Sequence, residues 1–337
     1  MIREAIKQLS MKQDLDYGTA LSVMHEIMEG KATPVQMSSF LTALSLKGET
    51  IEEITACAES MRSHCIRLLH DLPVLEIVGT GGDHLKTFNI SSTSSIVISS
   101  MGVPVAKHGN RAASSDCGAA DVFERLGVNI QVNEQRSKAM LDKIGLCFLF
   151  AQNYHISMKY VAPVRKELGI RTVFNILGPL ANPAGASLQL MGVYDESLIV
   201  PLAQVMTNLG VKRGMVVCGE DGMDEITLTG ETHICEVQDG TFTHYSITPE
   251  QFSLKRCRGE DLKGGNAEEN AEITRSILSG EMQGPKRDIV LLNSGCALYI
   301  AGKASTIGKG IELAREAIDS GKALQQLEAF VQLSNRE

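Results

Sequence analysis

The pattern of apolar residues changes period near Leu72-Pro73, and this change most constrains the fold. Before it, apolar residues recur at helical spacing, as in Leu21, Met24 and Ile27, which predicts amphipathic helices. After it, short β-rich runs end in glycine or polar residues and are followed by helical patterns. We therefore expect an α/β protein in which a small N-terminal all-helical domain precedes a larger α/β domain.

The larger unit is expected to contain a mainly parallel central sheet, because strand candidates alternate with helical or loop segments. These candidates are VLEIVG (74–79), VPVAKHG (103–109), LCFLFA (146–151), LQLMGVY (188–194) and GMVVCGE (214–220). Between residues 225 and 248, EITLTG, THICEVQDG and TFTHYSI predict short antiparallel strands instead. We place the domains at residues 1–70 and 71–337, with a segment near 160–185 packing on the first.

Charge and cysteine usage limit the function classes. A net charge of −8 argues against nucleic acid as the main partner, because phosphate backbones are bound by basic surfaces. The chain has no apolar run of about 20 residues and begins with a charged amphipathic segment, so neither a membrane span nor a signal peptide is expected. Its eight cysteines form no CxxC pair, which favours reduced thiols in a cytoplasmic protein over disulfides or a zinc site.

A glycine loop, GTGGD at 79–83, directly follows the first strand candidate. Three glycines in four residues let the backbone approach a ligand closely and present N–H groups to an anion. The loop is neither a dinucleotide fingerprint, since His84 replaces the third glycine, nor a P-loop, since no GK[ST] follows. Taken alone, it is equally compatible with a plain tight turn.

Two polar stretches follow. Residues 87–95, TFNISSTSS, concentrate hydroxyl groups and an amide at a predicted helix start, where they would cap the helix or cradle a phosphate. Residues 107–115, KHGNRAASS, place three basic side chains in a loop of an otherwise acidic chain. Lysine and arginine suit phosphate oxygens. The alternatives are solvated serines at a helix cap and a solvated basic turn.

Two later segments carry opposite charge. A helix that carries Arg165, Lys166 and Arg171 could offer a guanidinium to the carboxylate of a second substrate. Taken alone, Arg165 is better explained by a surface salt bridge with Glu167 or another neighbour. Residues 219–225, GEDGMDE, hold four carboxylates, the hard oxygen ligands that suit Mg²⁺, or else form an acidic solvated turn.

Together these motifs resemble the anthranilate phosphoribosyltransferase family. GTGGD, TFNIS, KHGNR, VRKELGIRTVFNILGPLANP and GEDGMDEI occur in that family's order and approximate spacing. The resemblance implies the nucleoside phosphorylase/phosphoribosyltransferase fold, a homodimer formed through the helical domain, and Mg²⁺ as cofactor. It also implies a reaction between anthranilate and 5-phosphoribosyl 1-pyrophosphate that yields N-(5-phosphoribosyl)anthranilate and pyrophosphate in tryptophan biosynthesis.

The resemblance also implies roles for individual residues. Magnesium would be held by Ser91, Asp224 and Glu225, and anthranilate by Gly79, His108, Asn110 and Arg165. The donor would contact Gly79, Gly82, Asp83, Thr87, Asn89, Ile90, Ser91, Ser92, Lys107, His108, Gly109, Asn110, Arg111, Ala112, Ala113, Ser114, Ser115 and Ala119. Lys107 and Asp83 are expected to act electrostatically, since a neutral aromatic amine needs no strong general base.

The chain departs from the family pattern in three places. The family often has Thr where Ser92 stands, which preserves the hydroxyl group. Residues 155–158 read HISM where the family often has HPAM, and Asp116-Cys117 replaces the usual small or basic pair. None of these changes removes a group that the chemistry requires. Two rival interpretations are a pyrimidine nucleoside phosphorylase of the same fold and a non-catalytic relative that binds nucleic acid. The first has no need of Asp224 and Glu225, and the second should show a basic groove.

Overall fold

A computed structural model describes residues 1–112 and 116–336. The helices in this part of the chain are α1 (Ile2–Ser10), α2 (Tyr17–Met28), α3 (Pro34–Lys47), α4 (Ile51–Ser63), α5 (Ile90–Ser100), α6 (Ala119–Arg125), α7 (Glu134–Ile144), α8 (Ala151–Tyr154), α9 (Met158–Leu168), α10 (Phe174–Leu180), α11 (Ile199–Asn208), α12 (Ala267–Leu278), α13 (Pro285–Ile300), α14 (Ile307–Asp319) and α15 (Lys322–Ser334). The strands are β1 (Leu75–Gly79), β2 (Val105–Gly109), β3 (Leu146–Phe150), β4 (Leu188–Gly192), β5 (Arg213–Gly219), β6 (Thr232–Gln238) and β7 (Thr241–Ile247).

The N-terminal helices begin at side chains that cap them. Thr33 accepts from the backbone N–H of Gln36, whose side chain reaches back to the Thr33 N–H, and Pro34 occupies the first helical position of α3. Thr50 and Glu53 form the same reciprocal pair at the start of α4. Such capping boxes satisfy backbone donors that have no partner within the helix. The predicted N-terminal run of helices is confirmed.

The strands form one sheet in the order β3-β2-β1-β4-β5-β6-β7. Pairing is parallel from β3 to β5 and antiparallel at β5-β6 and β6-β7. This confirms a mainly parallel sheet and an antiparallel ending. The order brings the carboxyl ends of β1, β2 and β4 together, and parallel sheets bind ligands at this kind of switch point.

The strand predicted for EITLTG (225–230) is wrong, because these residues form an irregular loop between β5 and β6. Side chains bind the loop's backbone: the N–H of Ile226 donates to Asn293 Oδ1 at 3.0 Å, and that of Thr227 donates to Thr232 Oγ1 at 3.0 Å. These bonds replace a strand ladder, so the apolar alternation of the segment reflects burial without sheet pairing.

Hydrophobic cores cover both faces of the sheet. One face packs on α5–α7 and α12–α15, and the other on α1–α4 and α9–α11. Neighbouring residues of β5 alternate between the two cores, with Val217 in the first and Val216 in the second. Helices α9 and α10 thus share a core with the N-terminal helices, although the domain bounds 1–70 and 71–337 remain a prediction.

Two further observations concern membrane-spanning helices and the cysteines. Within residues 1–112 and 116–336, none of the helices combines the length and apolar character needed to cross a bilayer. Seven cysteines are free thiols, and five of these are buried: Cys57, Cys147, Cys218, Cys235 and Cys296. Cys117 is buried as well.

Candidate active site

A cavity of about 380 Å³ opens beside the carboxyl ends of β1 and β2. All the described residues to which the resemblance gives a role line it, whereas the candidates Lys166 and Arg171 do not. The glycine loop, the start of α5, the loop after β2, the segment 165–178 and the pair Asp224-Glu225 each contribute part of the wall. Ala113, Ser114 and Ser115 lie outside the described residues. Segments separated by more than a hundred residues therefore meet in one site.

The glycine loop and Asp224 are packed against each other. Gly79 pairs with Gly192 across β1 and β4, and the backbone of Asp224 passes over both. A Cβ on Gly192 would collide with the Asp224 carbonyl oxygen, and a Cβ on Gly79 would collide with the Asp224 carboxylate. The absence of side chains at these two positions gives Asp224 its place in the cavity wall.

Burial changes the acid strength of the two acidic side chains. Asp224 and Glu225 are each only 8% exposed. Burial, followed by the nearby Asp83 carboxylate, raises the pKa of Asp224 above its ordinary value. Burial and the charge of Asp224 raise the pKa of Glu225 to about 8, although Lys107 opposes the shift. Adjacent buried carboxylates of this kind favour binding a proton or a cation.

Lys107 is the buried cation of this wall, and it is 3% exposed. Its Nζ donates to the His108 carbonyl oxygen at 3.2 Å. Burial lowers the Lys107 pKa, while Glu76, Glu225 and Asp224 oppose that shift. Three buried acidic side chains thus surround one lysine, so the protonation of each group depends on the others.

Glu76 is a residue of this network that the sequence analysis did not select. It is fully buried in β1, and its Oε1 accepts from the His108 N–H at 3.1 Å. Its Oε2 has no hydrogen-bond partner among the described residues. Burial raises the Glu76 pKa to about 7, with Lys107 as the largest opposing influence. The sequence did offer a signal for Glu76, because an acidic residue within the apolar strand VLEIVG is rare unless it has a partner.

The polar stretch after the glycine loop opens α5, as predicted. The N–H of Ser91 donates to Glu225 Oε1 at 3.1 Å, which brings the helix start against the acidic pair. Asn89 does not cap the helix through its side chain. Its amide instead donates to the Cys117 carbonyl oxygen at 3.1 Å and accepts from the buried Asn270 at 3.0 Å. Asn270 of α12 is thus a second residue that sequence reasoning missed.

The basic loop after β2 is less cationic than its sequence suggests. Arg111 forms ion pairs with Asp121 and Glu124, each at 2.9 Å. Burial, then His155 and Lys107, hold the His108 pKa well below its ordinary range, so this ring is neutral. Asn110 is exposed at the rim, where its Oδ1 accepts from the N–H of Arg111 at 2.8 Å. Lys107 therefore supplies most of the positive charge that this segment directs to the cavity.

Arg165 lies near the end of α9, on the wall of the cavity. Its Cζ is 5.0 Å from the ring centroid of Phe174, and burial lowers the pKa of the guanidinium. None of the ion pairs within the described residues involves this side chain. A half-buried guanidinium stacked on a ring and facing a cavity is suited to bind a planar carboxylate.

The acidic loop divides into two functional parts. Asp221 Oδ2 accepts from Thr229 Oγ1 at 2.6 Å, and its Oδ1 accepts from the Met223 N–H at 3.2 Å. Glu220 accepts from the Glu231 N–H at 3.4 Å. These two residues shape the turn, whereas Asp224 and Glu225 line the cavity. The sequence alone could not separate the structural acids from those of the site.

Comparison with known proteins agrees with this arrangement over nearly the whole chain. Residues 3–65 match the helical bundle domain, and residues 71–324 the a/b domain, of a glycosyl transferase family. An anthranilate phosphoribosyltransferase from Methanobrevibacter smithii is 61% identical over 99% of this chain and 100% of that protein. Another, from Lachnoclostridium phytofermentans, is 58% identical over 100% of both.

Solved structures show the same likeness. The crystal structure of anthranilate phosphoribosyltransferase from Thermus thermophilus superposes with a TM-score of 0.94 at 45% identity, over 98% of this chain and 99% of that one. The Saccharomyces cerevisiae enzyme in complex with PRPP and Mg gives a TM-score of 0.90 at 29% identity, over 99% and 97%. With the fold, the cavity and these matches in agreement, the chain belongs to the anthranilate phosphoribosyltransferase family.

Proposed function

We propose that this chain transfers the 5-phosphoribosyl group of 5-phosphoribosyl 1-pyrophosphate to the amine of anthranilate, as its relatives' names describe. The products are N-(5-phosphoribosyl)anthranilate and pyrophosphate, within tryptophan biosynthesis. One observation carries the proposal: a single cavity is lined both by a glycine loop beside two buried carboxylates and by the Arg165 guanidinium. The first part suits a metal-bound diphosphate and the second an aromatic acid.

The donor half of the cavity is built from backbone and hydroxyl groups. The loop 79–83 and the start of α5 both line it, and helix N-termini present free N–H groups to anions. Ser91 and Ser92 lie in the first turn of that helix. We assign the phosphate groups of the donor to these elements and to Lys107, whose charge would stabilise the negative charge that develops on departing pyrophosphate.

Magnesium fits the acidic part of the wall. Asp224 and Glu225 supply hard oxygen ligands, and the Asp83 Oδ2 is buried without a hydrogen-bond partner among the described residues. Among those residues no three histidine, cysteine or acidic side chains are grouped so that they could hold a metal ion by themselves. Mg²⁺ typically takes one or two carboxylates and completes its shell with phosphates and water. Ser91, Asp224 and Glu225 would hold it, and bound magnesium would neutralise charge on the leaving diphosphate.

Among the residues that the structure describes, the acceptor half offers no strong base, and the reaction requires none. An aromatic amine is neutral near pH 7, so its nitrogen can attack the ribose carbon C1 and lose a proton afterwards. We assign the anthranilate carboxylate to Arg165, with Gly79, His108 and Asn110 beside it. A yeast relative has been solved in complex with 4-fluoroanthranilate, at a TM-score of 0.89 and 28% identity. Rate enhancement then rests on positioning and electrostatics.

A fluorescence assay tests the proposal. Purified protein should consume anthranilate only when donor and Mg²⁺ are both present, and excess chelator should stop the reaction. A panel of aminobenzoates would show whether the ortho carboxylate is required. Turnover that persists in chelator would exclude the metal role, and release of a free base from a nucleoside and phosphate would assign the chain to phosphorolysis instead.

We further propose that the chain forms a homodimer through its helical domain. Val35 and Leu46 are 75% and 79% exposed, and their spacing of eleven residues places them on the same side of α3. Exposed apolar side chains on one helix face favour association with a second copy. Sedimentation equilibrium should show a dimer that the double variant V35D/L46D dissociates. Val200→Asp is the matched control, because Val200 is 54% exposed but lies on α11.

A cytoplasmic location is proposed on the chemistry of the thiols. Seven cysteines, Cys57, Cys65, Cys147, Cys218, Cys235, Cys257 and Cys296, are free thiols, as expected in a reducing compartment. Cell fractionation with a tagged chain tests this, and recovery in the membrane or secreted fraction would contradict it.

A further inference from the structure

Arg171 is a charged residue beside the site that the proposed function leaves without a role. It lies in the turn between α9 and α10 and does not line the cavity. Its guanidinium Nη2 donates to the carbonyl oxygen of Gly82 at 2.8 Å. Its Cζ also lies 3.9 Å from the ring centroid of Tyr194, just beyond the end of β4. The guanidinium is therefore held between the glycine loop and an aromatic ring.

The backbone of Arg171 is anchored as well. Its carbonyl oxygen accepts from Ser45 Oγ at 3.0 Å, and Ser45 belongs to α3 of the N-terminal helices. One residue thus contacts the helical unit through its main chain and the glycine loop through its side chain. Only six positions earlier, the same segment carries Arg165 on the cavity wall.

Two side chains bind the backbone of the glycine loop. The Gly81 N–H donates to Asp224 Oδ2 at 2.5 Å. The Gly82 carbonyl oxygen accepts from the Arg171 guanidinium. Gly81 and Gly82 have positive φ angles of 74° and 84°. Glycine adopts such angles freely, but it also reaches many other backbone conformations when no contact holds it. Two side-chain contacts on adjacent residues restrict that freedom.

We propose that Arg171 is a positioning residue that holds the glycine loop in its donor-binding conformation and couples that loop to the segment carrying Arg165. The inference rests on the proposed function, because the donor and acceptor halves are assigned there. Stacking on Tyr194 fixes the guanidinium plane, and the hydrogen bond to Gly82 transmits the position of the α9–α10 turn to the loop. Movement of this turn would therefore change the affinity for the donor.

Four variants separate this role from general stabilisation. Arg171→Ala removes both contacts, whereas Arg171→Lys keeps a cationic donor but loses the planar fork. Tyr194→Phe keeps the ring, and Tyr194→Leu removes it. Arg213→Ala is the matched control, because Arg213 lies 5.2 Å from the Tyr299 ring in a similar pair at the start of β5.

Three measurements are required. Calorimetric titration with 5-phosphoribosyl 1-pyrophosphate and MgCl₂ gives the donor Kd, and steady-state kinetics separate both KM values from kcat. Hydrogen exchange of the peptide spanning residues 79–86 measures how often the backbone of the glycine loop opens when no ligand is bound. Arg171→Ala should raise donor Kd and KM about tenfold, the loss expected for one charged hydrogen bond, and should speed exchange of the loop. Its anthranilate KM, measured at saturating donor, should stay within about twofold.

The remaining variants rank what the Arg171 hydrogen bond and the Tyr194 ring each contribute to donor binding. We expect Arg171→Lys and Tyr194→Leu to lie between wild type and Arg171→Ala, and Tyr194→Phe and Arg213→Ala to keep the wild-type donor Kd and loop exchange. Unchanged donor Kd and loop exchange in Arg171→Ala would overturn the proposal. So would a rise in anthranilate KM alone, which would make Arg171 an acceptor ligand. If wild type forms no product yet Arg171→Ala still speeds loop exchange, the proposed reaction fails while the positioning of the loop stands.

Discussion

The backbone N–H of Gly81 donates to the carboxylate of Asp224 at 2.5 Å, which joins two residues that lie 143 positions apart. This bond connects the anion-binding loop directly to the acid assigned to the metal. It also gives the loop a fixed conformation before any ligand binds, so less ordering remains to be done at binding. Several consequences of this arrangement can be measured.

Gly79→Ala tests the close packing of Asp224 on the strand end. The added methyl would collide with the Asp224 carboxylate and lie 2.8 Å from its carbonyl oxygen. We expect a loss of about 1–3 kcal/mol in the free energy of unfolding and a large rise in donor KM. Chemical denaturation and kinetics measure both. Gly259→Ala is the control, since a methyl there meets nothing within 4 Å; equal behaviour of the two variants would contradict the packing argument.

Arg165→Ala tests the acceptor assignment. Removing a guanidinium that pairs with a carboxylate should raise the anthranilate KM about 10- to 100-fold, with a much smaller change in donor KM. Arg165→Lys should recover only part of the loss because an ammonium group lacks the planar fork. Lys166→Ala, an exposed neighbour, serves as control. A rise in donor KM instead would reassign Arg165 to the donor.

The acidic pair predicts how pH affects the metal-free protein. Burial raises the pKa of Asp224 above its ordinary 3.8, and that of Glu225 from 4.5 to about 8. The folded state therefore binds more protons than the unfolded state between about pH 4 and about pH 8. Stability is greatest below this window and falls as pH rises through it.

Thermal unfolding in chelator measures this effect. We expect Tm to decline from pH 5 to pH 8, and MgCl₂ to raise Tm more at pH 8 than at pH 5. The double variant D224N/E225Q has nothing to deprotonate at these positions, so its profile should be flatter and its response to MgCl₂ smaller. Identical profiles for wild type and the double variant would return the pair to an acidic turn without a metal role.

Glu76→Gln tests the buried acid beneath the cavity. Glutamine can still accept from the His108 N–H, but it removes a negative charge from beside Lys107. The ammonium group would then lose one of the three acidic neighbours that position it in the cavity wall. We expect kcat to fall about tenfold or more, with a smaller change in donor KM. Glu236→Gln, whose carboxylate accepts from Tyr245 and Tyr299 far from the cavity, is the control. An unchanged kcat would exclude the role.

Glu53→Ala tests the stability of the helical unit. Glu53 is fully buried and accepts from the Leu15 N–H, the Thr50 N–H and Lys47 Nζ, each at 2.8 Å. Its removal leaves Lys47, which is 4% exposed, with the Gly48 carbonyl oxygen and the exposed carboxylate of Asp14 as partners. We expect a loss of about 3–5 kcal/mol in the free energy of unfolding. Asp14→Asn should cost less than about 1 kcal/mol. Comparable losses in denaturant titrations of the two variants would be inconsistent with this difference in burial.

Local sequence information was sufficient for the elements and for most of the candidate site. Helical spacing and the glycines after the strands predicted the helical unit, the parallel sheet and the loops that line the cavity. The helices depend on interactions between near neighbours, such as the reciprocal bonds of Thr33 with Gln36, and the alternation of strand and helix patterns indicated the parallel sheet. The motif resemblance added the roles that single residues could not reveal.

Tertiary structure decided which polar groups meet. The strand order places the end of β1 beside β4, and this juxtaposition lets Asp224 pass over Gly79 and Gly192. The same packing buries Glu76 beside Lys107 and pairs Arg111 with acids away from the donor. It also turns the predicted strand EITLTG into a loop and brings Arg171 to Gly82. Such contacts join residues far apart in the chain, and burial sets their charge, so periodicity and turn chemistry could not have revealed them.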